Sequence, residues 1–289
     1  MPVLRSGSPH RSSRSLATVA GILLAIVSLL LGLPGSAAAA PKYAPEPTHP
    51  GQDWAGSQIA AHEGGAPGVA PGVAPPDSAA AASVEGVDVS GHQGSVNWQT
   101  LWNSGVRFAY VKATESTSYT NPSFAQQYNG SYNVGMIRGA YHFATPNTSS
   151  GAAQANYFVD HGGGWSKDGK TLPGALDMEY NPYGATCYGL SAAGLVNWMK
   201  DFFATYKART GRDAVIYTST SWWQQCTGNS GAFGAVNPLW VPRYGSSVGE
   251  LPAGWGFHTI WQYTSTGPTV GDHNRFNGAL DRLQALANG

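Results

Sequence analysis

From Val84 to the end of the chain, short apolar runs alternate with amphipathic stretches, and few folds accommodate such a pattern. Strands are expected at Gly86–Val89, Phe108–Ala113, Ile137–Ala144, Ala175–Glu179, Ala214–Thr218, Leu239–Tyr244 and Thr259–Tyr263, with a short one near His273–Phe276. Helical spacing separates the early ones: Trp98, Leu101 and Trp102 within Val96–Ser104, then Phe124, Tyr128 and Tyr132 within Pro122–Val134, then Gly151–His161. The clearest helix is Ser191–Thr210. Ser191 can cap it, Leu195, Trp198, Met199, Phe202, Phe203 and Tyr206 form one apolar stripe, and Gly211 can end it. Strand–helix alternation implies parallel strands with right-handed crossovers. Eight strands within roughly 205 residues imply closure, and the helical signal thins after the fifth strand. The expected fold class is α/β: a shortened TIM-like barrel with eight strands and about five helices.

The sequence before Val84 is of another kind. Residues 1–39 read as a signal peptide: Arg5, Arg11 and Arg14 precede an apolar run from Leu16 to Leu33, Pro34-Gly35 breaks it, and the small residues 36–40 offer a cleavage site after Ala39. An uncleaved membrane anchor is the rival reading of the same run. Residues 40–83 are rich in Ala, Pro and Gly, with a near-repeat at Pro67-Gly-Val-Ala-Pro71-Gly-Val-Ala, and are expected to form a flexible linker. Asp53-Trp54 and His62-Glu63 are less repetitive, and whether they dock on the following domain stays open. The catalytic domain is then 84–289.

The chemistry is expected at Gly174-Ala-Leu-Asp-Met-Glu-Tyr180. Side chains two apart on a strand share a face, so Asp177 and Glu179 point one way and Leu176 and Met178 the other. Two carboxyls so placed repel when both are ionised, and one of them then holds a proton at neutral pH, as glycosidic cleavage requires. A solvated loop start is the plainer reading of an isolated Asp-x-Glu. This one is not isolated. Asp88 ends the first strand and Asp272 lies beside the last, and a barrel would aim both at the mouth shared by Asp177 and Glu179. Tyr141, Phe143, Tyr217, Trp261 and Tyr263 are candidate substrate-binding residues at that mouth, with core packing as the alternative for each. Formal charge is +0 and charged residues make up only 11% of the chain, so there is no basic surplus for nucleic acid.

Four segments, Val87-Asp-Val-Ser-Gly-His-Gln-Gly94, Arg138-Gly-Ala-Tyr-His-Phe143, Leu176-Asp-Met-Glu179 and Trp261-Gln-Tyr263, resemble in order and combination the family 25 glycoside hydrolases, the Chalaropsis-type lysozymes. The resemblance runs from about Glu85 to the C-terminus. It implies an eight-stranded barrel with fewer than eight helices and hydrolysis of the β-1,4 bond between N-acetylmuramic acid and N-acetylglucosamine in bacterial cell-wall glycan, without a cofactor. By position it makes Glu179 the general acid and Asp177 the group that orients the substrate N-acetyl group, with Asp88 and Asp272 as the remaining acids. Both members of Asp-x-Glu come from one strand, a geometry that favours substrate assistance over a protein nucleophile facing the acid across the bond. A chitinase-like barrel also carries Asp-x-Glu, but its longer acidic run is replaced here by Pro173-Gly-Ala-Leu176. A sugar-binding barrel without catalysis is the third reading, and four surviving acids argue against it.

Cys187 and Cys226 are the only cysteines, and in an exported chain they are expected to pair. The histidines show no His-x-x-x-His spacing, so no metal is expected. His142 has opposite parity to Tyr141 and Phe143 and reads as a packed residue. The expectation is a secreted, extracellular monomer with no lasting membrane association.

Overall fold

Val84–Val89 form the first barrel strand, β1; β2 (Phe108–Glu115), β4 (Ile137–Phe143), β5 (Ala175–Asp177), β6 (Val215–Tyr217), β7 (Leu239–Pro242), β8 (Ile260–Thr264) and β9 (Asp272–Phe276) follow. A two-residue strand, β3 (Tyr119–Thr120), folds back on the end of β2. The helices are α1 (Ile59–Glu63), α2 (Trp98–Asn103), α3 (Phe124–Asn133), α4 (Gly151–Phe158), α5 (Ala192–Thr210), α6 (Thr220–Thr227) and α7 (Leu280–Asn288). The structure, a computed structural model, describes residues 43–48, 51, 53–64 and 83–289. The expected signal peptide at 1–39 lies outside the described residues, as does most of the repetitive part of 40–83.

The sheet order β1-β9-β8-β7-β6-β5-β4-β2 is closed by pairing of β1 with β2, which makes an eight-stranded barrel. All eight strands anticipated from apolar patterning are present. The all-parallel arrangement implied by strand–helix alternation is corrected at β9, which runs antiparallel to both β8 and β1. The reason lies in the connections. A parallel neighbour needs a crossover of a dozen or more residues, whereas only residues 265–271 separate β8 from β9. The reversal brings the first residue of β9, Asp272, to the end of the barrel where the other strands finish, opposite Asp88 of β1. Three helices escaped the periodicity argument: α1, within the expected linker, α6, a single short amphipathic segment rich in Trp, and α7 at the C-terminus, so the described residues hold seven helices where about five were expected.

α5 follows its sequence pattern closely. Ser191 Oγ accepts from the Gly194 N–H at 3.1 Å, and Gly211, with φ 75°, closes the last turn by donating to the Lys207 carbonyl. Its stripe of Leu195, Trp198, Met199, Phe202, Phe203 and Tyr206 is buried against α4, Leu176 of β5, Met178 just after it and Ile216 of β6. Each such side chain contributes about 1.5–3 kcal/mol on burial. Gly151 lets α4 approach closely: a Cβ there would lie 2.2 Å from the Trp198 carbonyl oxygen. Inside the barrel, Phe108, Tyr110, Tyr141, Tyr217, Trp240 and Phe276 fill the lower layers, with Trp240 stacked on Tyr110 at 4.9 Å and edge-on to Tyr217 at 4.8 Å. The Cys187–Cys226 disulfide ties the loop after β5 to α6. Its 39-residue separation is worth about 4 kcal/mol in the chain-entropy picture. Among the described residues, no helix is long and apolar enough to cross a membrane.

Candidate active site

The aromatic interior of the barrel ends in a layer of buried acids and amides. On β5, Leu176 and the following Met178 pack outward under α5, so Asp177 and Glu179 turn inward, and both are completely buried. β5 itself stops at Asp177, but extended pairing continues, since Met178 N–H donates to the Tyr217 carbonyl at 2.9 Å. Asp88 and Asp272 face each other across the β1–β9 pair. All four acids named from sequence therefore meet at one end of the barrel.

Two amide side chains organise the acids. Gln262 on β8 accepts from the hydroxyls of Tyr217 at 2.9 Å and Tyr244 at 3.0 Å. Its Nε2 donates to Asp88 Oδ2 at 2.9 Å and Asp272 Oδ2 at 3.5 Å. Asn274 on β9 donates to Asp88 Oδ2 at 2.7 Å while its own oxygen accepts from Trp240 Nε1 at 2.7 Å. Asp88 is thus well supported, yet burial still lifts its carboxyl to about 7. Asp177 differs sharply. Among the described residues neither of its carboxylate oxygens has a hydrogen-bond partner. Burial first, and the neighbouring Glu179 second, push its pKa well above the usual carboxylate range. Burial also lifts Glu179, to about 8, against two backbone N–H bonds that pull it down. Asp272 is raised well above its ordinary value by burial and by Asp88. Four acids in one buried layer cannot all be ionised at neutral pH.

A β-bulge adds two residues that the sequence pattern did not single out. The register of β2 against β4 slips between Lys112 and Thr114, so Lys112 aligns with Tyr141 while Glu115 aligns with Phe143. Lys112 and Glu115, three apart, both turn inward and form an ion pair of 2.5 Å at the mouth. Tyr183, in the loop after β5, donates to Glu115. Simple alternation would have put Lys112 and Glu115 on opposite faces, which is why neither was visible as a site residue.

Among the aromatics, Tyr141, Phe143 and Tyr217 lie on the inward faces of β4 and β6, as expected. Trp261 and Tyr263 do not share the mouth. Gln262 takes the inward place on β8, so its neighbours turn to the outer face. There Trp261 Nε1 donates to the Arg243 carbonyl at 2.8 Å. Tyr263 donates to Glu85 at 2.9 Å and carries the Arg275 guanidinium 4.3 Å from its ring centre. The informative residue of the Trp-Gln-Tyr motif was the glutamine. His142 packs outside the barrel as expected, between Thr114 and Gln154.

The largest departure concerns residues expected to be linker. Residues 53–63 are seated in the mouth, and α1 forms there. Gly56 N–H donates to Glu179 Oε1 at 2.7 Å and Gln58 N–H to Oε2 at 3.4 Å. The Ala55 carbonyl accepts from Gln262 at 2.9 Å, and the Asp53 carbonyl from Lys112 at 2.6 Å. A flexible linker is therefore not what these residues form. The contacts with Glu179, Gln262 and Lys112 are made by their backbone amides and carbonyls.

With this geometry in hand, comparison with known proteins is informative. Residues 87–272 match the sequence family described as glycosyl hydrolases family 25. The chain is 47% identical to Lysozyme M1 of Streptomyces globisporus over 98% of both chains. It is 51% identical to the N,O-diacetylmuramidase of Chalaropsis sp. over 72% of this chain and all of that one. Among solved structures, a muramidase from Acremonium alcalophilum superimposes with a TM-score of 0.71 at 58% identity, over 71% of this chain and 99% of the other.

Proposed function

Since this chain belongs to glycosyl hydrolase family 25 and is a peptidoglycan hydrolase of the lysozyme type, we propose that Glu179 is its general acid and that Asp177 works through the substrate's own 2-acetamido group. The observation that carries this reading is the contrast within one strand end. Glu179 holds a raised pKa in a buried layer, and beside it both oxygens of Asp177 have no donor among the described residues. A carboxyl at about 8 carries the proton that must pass to the glycosidic oxygen. A buried carboxyl whose oxygens have no donor among the described residues is suited to accept the N–H of a bound acetamide.

In the proposed sequence, Glu179 donates its proton to the bridging oxygen as the bond to the anomeric carbon breaks. The acetamido oxygen attacks that carbon while Asp177 accepts the acetamido N–H. Glu179, now a carboxylate, then takes a proton from the water that opens the cyclic intermediate, and the acid is restored. Asp88, held by the Gln262 and Asn274 amides, is the acid best placed to carry negative charge as positive charge develops on the sugar ring, with Asp272 beside it. Tyr141 and Tyr217 are proposed to border the bound sugar. The bond cut is the β-1,4 link from N-acetylmuramic acid to N-acetylglucosamine. Secretion is part of the same proposal: the charged and apolar order of residues 1–39 fits export, and a disulfide persists in an oxidising compartment.

An endpoint digest of purified peptidoglycan, with new reducing ends identified by mass spectrometry, tests the proposal. Reducing N-acetylmuramic acid from the unaltered chain, absent with Glu179→Gln, is the expected result. Reducing N-acetylglucosamine would overturn the assigned bond, and undiminished cleavage by Glu179→Gln would overturn the assigned acid.

A further inference from the structure

We infer that residues 53–63 are an intramolecular inhibitor of the active site, a peptide ligand carried in the chain that holds the glycan cleft closed. The inference rests on the lysozyme reading only for the identity of what is kept out. The segment does not merely lie near the acids. Its backbone engages both oxygens of Glu179, through Gly56 and Gln58, and its carbonyls accept from Gln262 and Lys112. The Ala55 N–H points at the Tyr141 hydroxyl, 3.3 Å away. A peptide amide presents the same N–H donor and carbonyl acceptor as the acetamido group of an N-acetylated sugar. A site built to bind acetamides therefore has the chemistry to bind this backbone.

Gly56 shows how close the approach is. Its φ is 93°, and a Cβ there would fall 2.5 Å from the Tyr244 hydroxyl, 2.6 Å from Gln262 Oε1 and 2.9 Å from the Tyr217 hydroxyl. Only glycine combines that backbone with that clearance. Away from the acids, side chains fix the segment at both ends. Trp54 stacks on His92 at 4.4 Å, and the Asp53 carboxylate accepts from Tyr183. At the other end Tyr180 donates to Glu63 at 2.9 Å and His62 stacks on the Tyr180 ring at 4.1 Å. Because the segment is covalently tethered, it competes with glycan at a high effective concentration whatever the dilution of the protein. Catalysis then requires that it leave the mouth.

The test uses the full chain with substitutions confined to the segment. Gly56→Val makes the seated backbone strained and crowded while leaving every barrel residue in place; Trp54→Ala with Glu63→Ala removes one anchor at each end. Two quantities are read: the initial rate of peptidoglycan hydrolysis, and binding of a soluble tetrasaccharide of the alternating N-acetyl sugars by tryptophan fluorescence. Losing a buried hydrogen bond while crowding the seated backbone shifts the closed-to-open ratio about tenfold, so Gly56→Val is expected to raise both rate and affinity by about that factor. The anchor variant should show a smaller rise in the same direction. Equal rates in all three proteins would overturn the inference and leave the lysozyme reading standing. No hydrolysis by any of them, with tighter binding by Gly56→Val, would overturn the lysozyme reading and keep the inhibitor. No hydrolysis and no difference in binding would overturn both.

Discussion

Two clusters of buried polar side chains sit back to back across the wall of this barrel, and they are built on opposite principles. Behind the wall, under α4 and α5, His142 Nδ1 meets Thr114 Oγ1 at 2.7 Å and its Nε2 meets Gln154 Oε1 at 2.9 Å, while Gln154 Nε2 donates to the Thr145 carbonyl at 2.8 Å. Burial pushes the His142 imidazole down to about 3, so it is neutral, and its ring stacks with Phe202. In front of the wall, Asp177 has no hydrogen-bond partner among the described residues, and it shares a buried layer with three further acids whose pKa values are all raised. Both clusters are fully buried. The outer one is satisfied by the protein itself and serves the scaffold; the inner one is left incomplete, to be completed by a ligand. Complete hydrogen bonding marks structure, and an unmet demand marks function.

That contrast predicts effects of different kinds on the two sides. The largest is expected from Glu179→Gln, which removes a transferable proton and nothing else of that size. Turnover should fall by about 10²–10⁴, measured on peptidoglycan in the Gly56→Val background where the mouth is open. Asp177→Asn should lower turnover by about 10²-fold in the same assay. Near-normal turnover in that variant would remove Asp177 from the mechanism.

On the outer side the pattern should invert. Gln154→Ala leaves buried partners of His142 and Thr145 unmet and is expected to cost about 1–3 kcal/mol of unfolding free energy in urea, with turnover per folded molecule unchanged. A comparable loss of turnover would break the division between scaffold and site.

An effect of similar size is expected in the pH dependence of stability. Glu179 and Asp88 have folded pKa values of about 8 and about 7, above their unfolded values. Their contribution is fully present below the unfolded pKa, near 4, and is lost as pH rises through the folded one. His142, lowered to about 3, acts in the other sense: its contribution is present above about 6.5 and is lost as pH falls toward 3. Between pH 5 and pH 8, Glu179→Gln should therefore flatten the decline in unfolding free energy, by about 1–3 kcal/mol. An unchanged slope would mean that Glu179 titrates normally in the folded chain.

Much of this architecture could be read from local pattern. The strand positions, the capped helix α5 with its stripe, the inward pair Asp177 and Glu179, and the outward His142 all follow from alternation or from a period of 3.6 within a few residues. Those periods are set by backbone geometry and need no knowledge of the partner. The failures share a cause of the opposite kind. Trp261 and Tyr263 look like site residues until Gln262 takes the inward position; Lys112 and Glu115 share a face only because β2 slips one residue against β4. β9 reverses because its connection is short, which matters only once closure demands a neighbour for β1.

The sequence by itself determined a barrel of eight strands, the acids at its mouth and the family they belong to, because each rests on residues close together in the chain. Tertiary structure alone decided that a stretch of apparent linker would occupy that mouth. Gly56 and Glu179 are 123 residues apart, and the bond between them depends on backbone amides, which every residue except proline carries and no composition can reveal.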